Sequence, residues 1–335
     1  MKKKIINFDL SKIVKKVKRK KIIQQVDRKL YHIIKEDLHF FKVVKRFVVF
    51  SGGKRIRPFS HYYFSKLLNY EGKEWIDVAA IGELIHAASL LHDDVIDNSD
   101  QRRGKPTLNA THGNKKAILG GDYLLACGID HLITLPHKLQ LLPVFTRVIR
   151  NLAVAEILQM EYEKNPQMDF SIYEKIIEGK TADLFSAMVE ASAILMDYPP
   201  EQTKKYREIG LKMGRLFQIR DDYLDYFSNE NQLGKRLYLD YERGIITYPI
   251  LVLRSYMNKS ERNFFDFWGS DEFRKQNLAH MLELMKKYQI SQRIKNEIDQ
   301  KLDEIINFIK EHQTKNPNEK EELISTLRQL SVSIE

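Results

Sequence analysis

Cysteine is almost absent from this sequence: Cys127 is the only one among 335 residues. That excludes an internal disulfide framework and fits a reducing compartment. Glycine and proline are also sparse, at 15 and 9 residues, and long runs rich in Leu, Ile, Lys and Glu lie between them. With so little turn punctuation the chain is expected to be mostly helical. No apolar run is long enough to span a bilayer, and no signal peptide with an apolar core is seen, so a cytoplasmic, soluble or peripheral protein is expected. No nucleic-acid-binding motif is present, and no nucleic-acid partner is expected.

Positive charge is what the chain has in excess: 55 Lys+Arg against 45 Asp+Glu, a net charge of +10. Much of the excess lies in residues 1–21, from Lys2 to Lys21, interleaved with Ile5, Ile6, Phe8, Ile13, Val14 and Val17. This segment reads as a basic amphipathic extension. It is either a solvated terminal helix or a peripheral contact with an anionic membrane surface. No linker divides residues 22–335, which read as one large helical domain.

Two stretches carry concentrated chemistry. In Ile85–Asp97 an apolar helical segment turns abruptly into Asp93, Asp94 and Asp97. On a helix Asp93 and Asp97 share a face, Asp94 is offset, and His86 lies two turns earlier on the same stripe. Like charges at that spacing destabilise a helix, and a divalent cation with oxygen ligands compensates them. A lone cluster of this kind is more often a solvated acidic helix end. Here Gln218–Asp225 repeats the spacing with Asp221, Asp222 and Asp225, again after an apolar helical run. Two such helices can face each other across a cavity, with several Mg²⁺ ions shared between six carboxylates and substrate phosphates.

Cations accompany the carboxylates. Gly53-Lys54-Arg55-Ile56-Arg57-Pro58 combines flexible backbone, three cations and a proline suited to a helix start, which together form a plausible anion site. Arg102 and Arg103 follow the first cluster, either pairing with its carboxylates or pointing at two phosphate groups. The remaining pattern predicts helices over 22–50, 59–69, 76–97, 141–162, 171–195 and 203–227, with a last helix starting at Asn316-Pro317-Asn318 whose Leu323, Leu327 and Leu330 are core. Glu156 and Gln159 interrupt an otherwise apolar helix that has no need of them. Lys180-Thr181 precedes a face of small residues, whose plain reading is close helix packing.

Taken in order and spacing, these motifs resemble the trans-polyprenyl diphosphate synthases, of the medium- and long-chain type, over roughly residues 45–250. Gly121-Asp122-Tyr123 and Gly234-Lys235 match as well. The resemblance implies an all-α fold of the isoprenoid synthase type, a helical bundle around a deep central cavity, and a homodimer. It implies condensation of isopentenyl diphosphate head-to-tail onto an allylic diphosphate, with Mg²⁺ as cofactor, three ions per site. By the same resemblance Asp93, Asp94, Asp97, Asp221, Asp222 and Asp225 are the metal-binding set. Lys54, Arg57, His86 and Arg103 correspond to the isopentenyl diphosphate site. Arg102, Lys180, Thr181, Gln218 and Lys235 correspond to the allylic site. The reaction needs no nucleophilic Ser or Cys, and the motifs offer none.

Two departures stand out. The family usually has Gly-Lys-x-Thr where this chain has Gly244-Ile245-Ile246-Thr247, and the tail Ser331–Glu335 lacks the usual basic end. Arg243 or Arg236 is the expected substitute for the missing lysine. Ala88 and Ser89, just before the first cluster, occupy positions where bulky aromatics in the family stop chain growth. Their small size predicts an open tunnel and a product of C30 to C50, for a quinone side chain. Leu125, Ile129 and residues near Ile157 are candidates for a deeper floor. The alternatives are a C20 (geranylgeranyl) enzyme, a terpene cyclase, and a non-catalytic subunit of a heteromeric synthase.

Overall fold

The computed structural model describes residues 10–35, 38–50, 55–102, 104–228 and 236–332. The fold is all-α apart from one two-residue antiparallel pair, β1 (Gln101–Arg102) with β2 (Lys105–Pro106). The chain divides into two compact units, residues 1–62 with 71–142, and residues 63–70 with 143–335.

The first unit contains α1 (Leu10–Ile33), α2 (His39–Phe50), the start of α3 (Ile56–Leu67), α4 (Glu74–Ile96), α5 (Leu108–His112) and α6 (Asn114–Leu132). The single helix expected over 22–50 is two helices, and α1 passes straight through position 21. The centre of this unit is α4. Val78, Ala79, Ala80, Ile81, Leu84 and Ala88 are all fully buried along it. Small residues let α6 approach closely: Gly120 lies against Val44 and Leu91, and Gly121 against the ring of His92. Arg55 fastens the start of α3, bridging Glu83 on α4 and Asp27 on α1. On the same helix pair Asp77 receives Lys29 at 2.8 Å and His131 at 2.6 Å.

The second unit takes in most of α7 (Lys138–Tyr162), α8 (Phe170–Ile177), a π-helical turn (Glu178–Ala182), α9 (Asp183–Ile194) and α10 (Pro200–Phe227). After these come α11 (Leu239–Arg243), α12 (Tyr248–Tyr256), α13 (Lys259–Arg262), α14 (Asp271–Lys287), α15 (Ile290–Glu311) and α16 (Pro317–Arg328). Ile290, Ile294, Ile298, Leu302, Ile305 and Ile309 form one buried stripe on α15, the period expected of a core-facing amphipathic helix. Each such side chain contributes roughly 1.5–3 kcal/mol relative to exposure. In α16, Leu323 and Leu327 are core as expected, while Leu330 is only half-buried.

Helix α10 lies against α9 through Gly210, which faces the Ser186 backbone, and through Gly214, which faces Ala182 in the π turn. The turn after α11 is clamped from above. Trp268 donates its indole N–H to the Gly244 carbonyl at 2.9 Å, and the fully buried Arg274 donates to the carbonyls of Trp268 and Glu242. Gly244 has φ +84°, and a side chain there would run into Lys164 and Arg274, so glycine is required.

Candidate active site

Both carboxylate clusters fall at helix C-termini. Asp93 and Asp94 lie in the last turn of α4, and Asp97 is its C-cap. Asp221, Asp222 and Asp225 lie in the last two turns of α10. Helix C-termini carry the negative end of the backbone dipole, so three carboxylates there are doubly unfavourable. Positive charge or hydrogen-bond donors must compensate them, and in each unit part of that compensation is visible.

In the first unit Arg102 places Nε and Nη2 on Asp94 Oδ1, at 2.9 and 2.8 Å. The other oxygen, Asp94 Oδ2, is buried without a hydrogen bond. Of the two readings open for Arg102, the pairing with a carboxylate is the one seen. Strands β1 and β2 hold Arg102 opposite Lys105. Thr107 and Asn109 tie the following segment to the end of α4, through the carbonyls of Ser99 and Asp94. Asp93 and His86 are half-buried and Asp97 is exposed. Arg57 is half-buried, and desolvation lowers its pKa while the charge of Glu83 acts the other way.

In the second unit both oxygens of the Asp222 carboxylate accept hydrogen bonds from the protein. Its Oδ2 accepts from Tyr173 Oη at 2.6 Å and from the Tyr248 backbone N–H at 3.2 Å. Its Oδ1 accepts from Gln218 Nε2 at 2.8 Å. Burial pushes the Asp222 carboxyl up to about 7, and the charge of Asp240 adds to this, while the three donors oppose it. Gln218 then turns its own carbonyl to Thr181 Oγ1, 2.8 Å away.

Thr181 and Lys180 sit in the π turn, which interrupts the single helix expected over 171–195. Such single-turn bulges inside a helix are frequent at functional sites. Gly179 permits the turn to pass against Asn151, where a side chain would collide with its carbonyl. The two polar residues that the sequence left unexplained are the partners of Lys180, whose Nζ lies 2.6 Å from Glu156 and 3.0 Å from Gln159. Tyr173, Tyr248 and Asp240 carried no signal as functional residues in the sequence.

The polyprenyl synthetase family description matches residues 40–285. An octaprenyl diphosphate synthase of Escherichia coli is 37% identical over 218 residues, covering 65% of this chain and 67% of that one. The chain belongs to the polyprenyl synthetase family. It is a prenyltransferase of trans-polyprenyl chain elongation. A second relative, heptaprenyl diphosphate synthase component 2 of Bacillus subtilis, is 31% identical over 265 residues, 79% of this chain and 75% of that one. The crystal structure of a decaprenyl diphosphate synthase from Rhodobacter capsulatus superposes with a TM-score of 0.83 at 27% identity, covering 94% and 97% of the two chains. The all-α fold expected from the motifs is therefore the fold found.

Of the synthase site residues expected from the sequence, Lys54, Arg103 and Lys235 lie outside the described residues, as do residues 1–9 of the basic extension. The remainder fall into the two groups above. The family's Lys position is held by Ile245, a largely buried side chain whose backbone N–H donates to Asp240 O at 2.9 Å. The expected substitutes are already paired elsewhere: Arg236 with Glu242 at 2.7 Å, and Arg243 with Glu163 at 3.9 Å. Ala88 is fully buried, whereas Ser89 is half-buried with its hydroxyl on the His86 carbonyl at 2.9 Å. Leu125 and Ile129 are half-buried on α6, and Ile157 is 59% exposed.

Proposed function

We propose that this synthase condenses isopentenyl diphosphate head-to-tail onto farnesyl or geranylgeranyl diphosphate, releasing pyrophosphate and a trans-polyprenyl diphosphate of C30 to C50 for a quinone side chain. The observation that carries the reading is the pair of aspartate triplets at the C-termini of α4 and α10, where clustered negative charge is least tolerated. The small side chains of Ala88 and Ser89, one turn before the first triplet, support the product range, as do the octaprenyl, heptaprenyl and decaprenyl relatives.

Asp93, Asp94, Asp97, Asp221, Asp222 and Asp225 are the residues that would hold Mg²⁺, three ions in all. The buried Asp94 Oδ2, lacking a hydrogen bond, is an acceptor suited to a cation. Among the described residues no three His, Cys, Asp or Glu side chains converge on a point. Mg²⁺ is ordinarily bound by one or two carboxylates together with waters and substrate phosphates. The ion, when bound, neutralises the diphosphate and makes it a competent leaving group. Lys180, Arg102 and Lys235 add positive charge to the allylic diphosphate. Thr181 and Gln218 orient it, and Lys54, Arg57, His86 and Arg103 hold isopentenyl diphosphate. No side-chain nucleophile is needed, because the isopentenyl double bond attacks the allylic carbon and a proton is then lost.

Residues 22–335 act as one synthase domain in a homodimer. Exposed apolar residues favour that assembly: Ile118, Leu119 and Leu139 in the first unit, and Val154, Ile157 and Met160 in the second. Among the described residues no helix is long and apolar enough to cross a membrane. On this reading the enzyme is cytoplasmic, with the basic residues 1–21 as its peripheral contact with lipid, where a long-chain product must leave. A C20 (geranylgeranyl) product is the alternative within the class.

One observation favours a second reading: the Bacillus subtilis relative is named as one component of a synthase. The chain retains all six aspartates, so even in a heteromer it would be the catalytic member. Assaying the chain purified alone with Mg²⁺, labelled isopentenyl diphosphate and farnesyl diphosphate separates the two. Turnover by the isolated chain supports the homomeric enzyme. Turnover only after a second polypeptide is added moves it to the component reading.

A further inference from the structure

The first unit contains a cavity of about 450 Å³ between α2, α4, the β1–β2 pair and α5. That is within the range of small-molecule sites. Its walls are apolar, with Phe47, Leu90 and Leu108 among them, and its cations are Arg46, Arg102 and Lys105; among the described residues none that lines it is acidic. Arg46 and Lys105 are exposed. An apolar floor below a cationic rim matches an amphiphile with an anionic head, and the reaction itself supplies such molecules. We propose that this cavity is a second, non-catalytic site for a short-chain isoprenyl diphosphate, which acts as an inhibitory effector through Arg102.

Arg102 is the link to catalysis. Arg102 lines the cavity and at the same time places two guanidinium nitrogens on Asp94 Oδ1. A diphosphate seated against Arg46 and Lys105 competes with Asp94 for that guanidinium. Drawing Arg102 into the cavity removes a cation from the first aspartate cluster and from the allylic diphosphate it serves. Coupling between two sites is reciprocal, so the state of Asp94 also sets how tightly the cavity binds. This inference rests on the proposed role of Arg102 at the allylic diphosphate.

The test is a binding titration with geranyl thiodiphosphate, whose sulfur-linked head does not react. The full-length protein is compared with an Arg46→Glu/Lys105→Glu double variant and with Leu108→Trp, which fills the floor. The wild type is expected to bind two molecules per chain, and each variant one, the lost class weakening at least tenfold. Inhibition of turnover at high geranyl diphosphate disappears in the variants, while the rate at low concentration is unchanged. One molecule per wild-type chain, two in every variant, or loss of both classes in the double variant would overturn the proposal. Failure of the underlying reading looks different: no binding by any of the proteins and no product from the wild type.

Discussion

Gln218 donates its amide N–H to Asp222 Oδ1 at 2.8 Å, and this contact fixes which way the Gln218 amide points. A carboxylate only accepts, so the NH₂ group must face Asp222 and the carbonyl must face Thr181. Tyr173 and the Tyr248 backbone anchor Asp222 in turn. The orientation of Gln218 and Thr181, the two residues proposed to orient the allylic diphosphate, is thus set by a buried carboxylate behind them.

Replacing Asp222 by Asn puts an amide where Gln218 expects an acceptor, and the Gln218 side chain turns over. Catalytic efficiency toward the allylic substrate should fall about 10–100-fold, the usual effect of losing such a supporting partner. Tyr173→Phe should give a smaller fall in the same direction. Steady-state kinetics with varied allylic substrate checks both, and an unchanged kcat/KM in either variant would dissociate this network from binding.

Gly214→Ala places a methyl group against Ala182, in the turn that carries Lys180 and Thr181. Overpacking of this kind costs about 1–3 kcal/mol. Thermal denaturation should show the loss, and the allylic KM should rise along with it because the displaced turn carries Lys180 and Thr181, which are proposed to bind the allylic diphosphate. A destabilised variant with normal KM would mean that α10 shifts and the π turn does not.

How much of this was legible beforehand depended on whether a feature lived on one helix or between several. The aspartate triplets could be read because their spacing is a helix period, and the small residues around Ala182 signalled close packing. The break between Ile33 and His39 has no glycine or proline to mark it, so one helix was expected where packing makes two. The π turn at 178–182 was likewise hidden, since a lone Gly179 is tolerated in a helix. Tyr173 and Tyr248 meet Asp222 from α8 and α12, distant in sequence, and an ordinary tyrosine gives no hint of such a contact. Glu156 and Gln159 are the intermediate case: out of place in the sequence, yet explained only once Lys180 lies beside them.

The Asp222 carboxyl, raised from 3.8 to about 7, makes a prediction about pH. Its folded pKa exceeds the unfolded value, so the folded state holds the proton more tightly. The stability from this group is fully present below about pH 4 and is lost as pH rises through about 7. Without added divalent ions, the stability difference between wild type and Asp222→Asn should therefore shift against the wild type over that interval. Chemical denaturation at several pH values measures it, and a flat difference would contradict the assignment.

Ser89→Phe should shorten the product by closing the expected tunnel one turn before Asp93. Ser89 is the better probe than Ala88, whose complete burial means that a phenylalanine there would strain the packing of α4 whatever the tunnel does. Chromatographic sizing of the variant's products tests this; an unaltered distribution would place Ser89 away from the growing chain.

The most direct measurement is to incubate the purified protein with Mg²⁺, labelled isopentenyl diphosphate and farnesyl diphosphate, and to size what accumulates. Products of C30 or longer are predicted. Accumulation that stops at C20, with isopentenyl diphosphate still in excess, would contradict the long-chain assignment and place the floor of the tunnel immediately below Ala88 and Ser89.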